Sequence, residues 1–436
     1  MFTSEPSLAQ RITRMIAETP IIDPHSHIRC DQPGAPDLAA LIGEHSISAQ
    51  LRSVGMPAAD LDASLPADER VLRSIPFLSK IRNTANAWCL FRIFRDLYDF
   101  DEPNLTPSNY RGLFDRVLAT GGDPSWATSV LREKAGIQTV VTTLDHKSAD
   151  PSKNPEHVAF RLDLHDLVAP RLSPQNSLLK HPKADYYDSL VGILGGDRPS
   201  TSERLGQLLR DWLDATVSGS VRFCSAFLPI EQRFHAPDES RIHFVLNQAA
   251  HGQPLGDSDI DELVRSVTWT ILGWHQDHGR PFQIAFGTET LPEGGCLPRS
   301  QSNWTTEMCR IFQHFGRAKF DLMLAADSSL VQETAVAAGQ LANVYLAGDW
   351  SHNVAPPIIE RTVAARVQLA PMTKFSGFLS DARHAEWAYG RLQIVKKSMA
   401  GAFASLVAAG YYEEDEVPPI LRQILLDTPR DLYGLS

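Results

Sequence analysis

Two histidines one residue apart, His25 and His27, close the run Pro20-Ile21-Ile22-Asp23-Pro24-His25-Ser26-His27. Side chains alternate faces along an extended chain, so the two imidazoles point the same way. Two neutral imidazoles on one face can fill two positions around one divalent metal ion. The bland alternative is a pair of polar loop residues, and the pattern elsewhere has to choose between them. A second constellation lies near the other end, in Phe378-Leu379-Ser380-Asp381-Ala382-Arg383. Asp381 would make a two-histidine, one-carboxylate set that leaves metal positions open for substrate or water. Arg383 lies two residues on, and its planar fork suits a substrate carboxylate. A surface Asp–Arg pair is the plain alternative.

The elements that must position these residues can be read from periodicity. Leu8, Ile12 and Ile16 predict an amphipathic helix over Ser7 to Glu18, delivering the chain into the histidine strand. From Cys30 to Lys134 no strand pattern occurs. Helical patterns run over Leu38 to Val54, Asp68 to Lys80, Thr84 to Tyr98 and Asn109 to Thr120, separated by Pro- and Gly-containing joints. After Gly136 the texture changes to short apolar runs alternating with helix-like sequence. The runs are Ile137 to Thr143, Leu167 to Ala169, Ser220 to Leu228, Pro281 to Gly287, Phe320 to Ala325, Asn343 to Ala347 and Phe375 to Leu379. With the histidine strand this gives about eight strands, the pattern of a (β/α)8 TIM-type barrel with an α-helical insertion after the first strand. One domain over 1–436 is expected, with the insertion at about 30–134. Barrel sites lie at the carboxyl ends of strands, where His25 and His27, Asp145 and His146, Asp349 to Asn353, and Ser380 to Arg383 gather. In a closed barrel the eighth strand is beside the first, which brings Asp381 to the histidines.

Composition narrows the partners. The 436 residues are 43% hydrophobic and 21% charged, as in a globular protein, with a formal net charge of -11. That balance speaks against nucleic acid and against an anionic membrane surface. No apolar run is long enough for a transmembrane helix, and the N-terminal stretch has no signal-type apolar core. The five cysteines are widely spaced with no CxxC, which fits reduced thiols in the cytoplasm. A small-molecule partner is expected, and a homo-oligomer stays open.

The order and spacing of these motifs resemble the uronate (glucuronate) isomerases of the amidohydrolase superfamily. The similarity is scattered over most of the length. It includes the PHSH of the first strand, Gly43-Glu44-His45 with Arg52 and Gly55 downstream, and Asn86, Trp88 and Leu90 in the insertion. It continues through Thr142-Thr143-Leu144-Asp145 and Ser380-Asp381-Ala382-Arg383. The resemblance implies one divalent ion on His25, His27 and Asp381, zinc first, with manganese, iron or cobalt as alternatives. It also implies His45 and Arg383 at the substrate and interconversion of an aldohexuronate with its ketose. Arg52 and Trp350 join the substrate-binding candidates, and Arg171 is the nearest match to an arginine of the third strand. The sequence departs from the family at Ser46, where a Tyr is usual, at Cys224-Ser225-Ala226, where an Asp-His pair is usual, and at Ala285, where a His is usual. With that Tyr absent, His45 and His352, in Gly348-Asp349-Trp350-Ser351-His352-Asn353, are the candidate proton carriers.

Three readings remain open at this stage. One is a metal-dependent isomerase of a hexuronate or another sugar acid. Another is a metal-dependent hydrolase of a lactone, ester or amide, with Asp381 moving the proton. The third is a non-catalytic binder of sugar acids.

Overall fold

In the computed structural model, which describes residues 6–144, 157–170, 186–228, 235–290, 296–298, 304–325, 328–349 and 353–435, the first apolar run forms strand β1 (Ile21–Ser26), buried along its whole length. The helix before it, Leu8–Glu18, opens on a capping box in which Ser7 and Gln10 each accept the other's backbone N–H. That exchange satisfies two donors the first turn would leave unpaired. The chain divides into two compact units. The first comprises Met1–Ala159, Gly348–Gln368 and Ser376–Arg430, the second Phe160–Ala347, Leu369–Phe375 and Asp431–Ser436.

In the first unit β1 pairs in parallel with β2 (Ile137–Thr143). The register slips between Asp23 and Ser26, where Pro24 has no N–H to give the ladder. Between these strands come helices Leu38–Ile42, His45–Ser53, Ala67–Leu78, Ala85–Tyr98 and Tyr110–Thr120, and no strand among the described residues. The single helix expected over Leu38 to Val54 is two. Gly43 ends the first by giving its N–H to the Ala39 carbonyl, and a Cβ there would stand 2.8 Å from that oxygen. Ala85–Tyr98 starts where the Thr84 side chain accepts the Ala87 N–H. It buries Leu90, Phe91 and Phe94, each contributing about 1.5–3 kcal/mol. Its neighbour is the long helix Ala385–Ala408, and Gly390 permits the approach: a Cβ there would lie 2.8 Å from the Ile93 side chain.

The second unit, which takes in β3 (Val158–Asp163) from Phe160 on, holds parallel strands in the order β3, β4 (Val221–Phe227), β5 (Pro281–Phe286), β8 (Lys319–Leu324) and β9 (Val344–Leu346). A separate antiparallel ribbon joins β6 (Thr288–Thr290) to β7 (Cys296–Pro298). The parallel strands alternate with helices, including Ser202–Thr216, Asp257–His278 and Ser328–Gln340, so the protein is α/β. Near-continuous apolar strands such as Pro281–Phe286, buried throughout, are what a parallel sheet covered on both faces requires. Gln283 and Asp321 sit side by side in register, and Gln283 donates to Asp321 at 2.8 Å. This bond gives the two buried polar side chains a partner in each other.

Two expected strands differ. Leu167 to Ala169 is not a strand; the chain forms a short helix there, His165–Val168, and the third strand lies earlier, at Val158–Asp163. Leu164, Leu167 and Val168 are all buried, at a helical rather than an alternating spacing. Phe375 to Leu379 does not form a strand either. Phe375 keeps one isolated parallel bridge to Leu346, while the Gly377 N–H goes to the Ile424 carbonyl. Among the described residues no helix is long and apolar enough to cross a membrane.

Candidate functional site

The site is assembled in the first unit by two turns that exchange backbone bonds. Asp381 gives its N–H to the His25 carbonyl at 2.8 Å, and His27 gives its own to the Ala382 carbonyl at 2.7 Å. The fully buried Asp23 carboxylate braces both turns, accepting from the His25 N–H at 3.3 Å and the Ser380 N–H at 2.9 Å. Asp381 itself adopts the left-handed conformation, φ 51°, which Asp tolerates better than most residues. Its carboxylate therefore turns onto the histidines: Oδ1 lies 3.3 Å from His27 Nε2 and 3.8 Å from His25 Nε2. The two rings stand edge to face, centroids 5.3 Å apart.

The donor set fits a divalent ion. One ligand atom from each of His25, His27 and Asp381 lies within 4.8 Å of the others. Ligands about 2 Å from a shared tetrahedral ion sit roughly 3.3 Å apart, close to the two separations observed. Thr143 Oγ lies 3.1 Å from His27 Nδ1. A proton on Nδ1 directed to that hydroxyl leaves the Nε2 lone pair toward Asp381, the tautomer a metal ligand needs. Burial works to raise the Asp381 carboxyl. The close approach of His27 Nε2 and the charge of Arg391 outweigh it and hold the group well below the usual carboxylate range.

Behind Asp381 lies the buried guanidinium of Arg391, from helix Ala385–Ala408. Its Nη1 donates to the carbonyls of Ser380 and, at 2.7 Å, Asp381; its Nη2 donates to Glu44 Oε1 at 3.1 Å. The same Glu44 oxygen is 2.6 Å from His45 Nδ1. Burial of Glu44 acts to raise its carboxyl, but the His45 hydrogen bond and the Arg391 charge hold it at about 2. His45 heads helix His45–Ser53 with its ring half exposed.

The remaining candidates are distributed as follows. Arg383 is exposed. Because Asp381 is left-handed, the chain does not stay extended to it, and among the described residues it forms neither the ion pair with Asp381 nor one with Glu386. Glu386 instead accepts from Tyr98, Trp126 and the Ala35 N–H. Arg52 lies exposed in the last turn of the helix that His45 begins. Ala226 and Ala285 are buried in β4 and β5, and the Ser46 hydroxyl is buried without a partner among the described residues. Asp145, His146, Arg171, Trp350 and His352 lie outside the described residues. Sequence reasoning missed Asp23, the anchoring role of Thr143, and the Glu44–Arg391 pair. Thr143 and Glu44 stood inside recognised motifs, but Arg391 follows Asp381 by a helical stretch that no short spacing reveals.

No protein-family model matches the chain. A uronate isomerase of Xanthomonas oryzae pv. oryzae (strain MAFF 311018) is 21% identical, aligned over 98% of this chain and 96% of the relative. Among solved structures, a uronate isomerase from Thermotoga maritima superposes with a TM-score of 0.81 at 15% identity, covering 99% of this chain and 100% of the other. A glucuronate isomerase from Caulobacter crescentus gives a TM-score of 0.81 at 17% identity, covering 100% of this chain and 96% of the other. The likeness read from scattered motifs extends over the whole chain, and this protein is a distant relative of the uronate isomerases that shares their fold.

Proposed function

We propose that the protein is a metal-dependent aldose–ketose isomerase acting on a hexuronate, of the D-glucuronate to D-fructuronate type. The observation that carries the reading is the convergence of His25, His27 and Asp381 on one point, with the exposed Arg383 two residues beyond Asp381. The whole-length relatives, all named uronate isomerases, support it. We read residues 1–436 as one (β/α)8-type domain with the helical stretch of about 30–134 inserted after the first strand. The absence of strands among the described residues of that stretch supports this.

A divalent ion on His25, His27 and Asp381, zinc first and manganese, iron or cobalt next, would supply positive charge beside the sugar's carbonyl and neighbouring hydroxyl. Arg383 pairs its two parallel N–H groups with the substrate carboxylate. Arg52, Arg171 and Trp350 are assigned to the rest of the substrate, with Arg171 the next anion site. His45 takes the proton from the carbon beside the carbonyl and returns it to the former carbonyl carbon. A proton passes in the same sense from the neighbouring hydroxyl to the former carbonyl oxygen, with His352 the second carrier. No atom is gained or lost, as an isomerisation requires.

The test is a metal analysis of the purified protein and a panel of uronates assayed for ketose in deuterated water. Ketose formation with deuterium beside the new carbonyl is the expected result. Lactone or ester hydrolysis without exchange would replace this reading with a hydrolase, and binding without turnover would replace it with a sugar-acid binder.

A further inference from the structure

We infer that Glu44 is the positioning residue of His45, and that Arg391 locks Glu44 to the turn that presents Asp381. The geometry is that of a carboxylate orienting an imidazole. Glu44 Oε1 is 2.6 Å from Nδ1, not Nε2, of the adjacent ring, and the glutamate side chain is fully buried. An ionised carboxylate accepts only, so Nδ1 must carry a proton. In the neutral ring Nε2 then keeps its lone pair, on a side chain that is half exposed. That is the protonation pattern of a base whose far nitrogen is available to a substrate.

A carboxylate buried this deeply needs compensation, and Arg391 supplies it at 3.1 Å with a guanidinium that is itself buried. Its other terminal nitrogen, Nη1, donates to the carbonyls of Ser380 and Asp381, neither of which lies in a regular strand. One buried cation therefore fixes both the left-handed turn at Asp381 and the carboxylate that sets the His45 tautomer. The position following His45 is Ser46, with its hydroxyl turned inward and unpartnered among the described residues. This leaves His45 as the described proton-transfer group beside the cluster, and makes the state of its ring decisive. The catalytic part of this inference rests on the isomerase reading; the tautomer does not.

The experiment uses the full chain labelled with 15N-histidine, with the His45 signals identified by their loss in His45→Ala. The expected wild-type result is a protonated, pyrrole-type Nδ1 and a pyridine-type Nε2, with and without added divalent metal. Glu44→Gln should lose that tautomer preference and lower kcat by about 100-fold at least, toward the ~10⁴-fold cost of leaving a histidine base in the wrong tautomer. KM should stay within about twofold and metal content should stay unchanged; Glu44→Asp should recover part of kcat. A wild-type ring protonated on Nε2 would overturn the inference, as would a Glu44→Gln protein with both tautomer and kcat intact. If Glu44→Gln does not fold, the wild-type tautomer decides alone. If no uronate is turned over while Nδ1 carries the proton, the isomerase reading falls and the positioning role stands.

Discussion

At the scale of residues, the candidate metal centre depends on groups beyond its three ligands. Thr143 fixes the His27 ring through one hydrogen bond of 3.1 Å. Replacing it by Val keeps the shape and removes the partner, so metal affinity should fall about 10–100-fold with the fold unchanged, measured by competition with a chromophoric chelator. Arg383 offers a test of substrate charge. Arg383→Lys keeps the cation but loses the fork, so kcat/KM on a uronate should drop at least about tenfold relative to the matching neutral aldose. An equal drop on both would assign Arg383 to structure. Asp349 is a different case. Burial pushes its carboxyl from 3.8 up to about 6 against the opposing pull of Arg366 and Thr362. A carboxyl that is easier to protonate folded than unfolded costs stability as pH rises from about 4 through 6, and the full cost is present above 6. Asp349→Asn should therefore gain up to roughly 2 kcal/mol at pH 8 and nothing at pH 4 in urea melts. A variant less stable than wild type at pH 8 would refute the assignment.

At the scale of elements, close approaches govern how the site is framed. A Cβ on Gly348 would lie 2.6 Å from the Phe378 backbone and 2.7 Å from Leu379 N. Backbone cannot yield as a side-chain tip can, so Gly348→Ala should destabilise by about 1–3 kcal/mol, seen as a lower urea midpoint at unchanged slope. Such constraints also explain what the sequence disclosed. The same-face argument for His25 and His27 needed only an extended chain, and the structure places both Nε2 atoms against Asp381. The helices between β1 and β2 were legible because residues such as Leu90, Phe91 and Phe94 repeat at helical spacing. The third strand was misplaced because Ala159, Phe160 and Leu162 surround a buried Arg161, a charge that masks an apolar run. The Phe375 to Leu379 run looked like a strand because it is apolar; which backbone groups it bonds is set by Ile424, far along the chain. Arg391 was invisible for the same reason, since its partners Glu44 and Ser380 are brought to it only by folding.

At the scale of the whole molecule, all three proposed ligands belong to the first of the two compact units. An ion that binds only the folded form stabilises it by about 2.7 kcal/mol when its free concentration is 100 times Kd. Chelation should thus speed hydrogen exchange in β1 and the start of Ala385–Ala408, while β4, β5 and β8 keep their protection. Uniform loss across both units would argue that the ligands hold more than their own unit together. The ligands are also ordered in time. His25 and His27 precede Asp381 by about 350 residues, a stretch that takes roughly half a minute to synthesise at common rates of chain growth. Throughout that interval the nascent chain displays two imidazoles and no carboxylate to complete them. An ion held by all three proposed ligands would thus be captured only after Asp381 has left the ribosome.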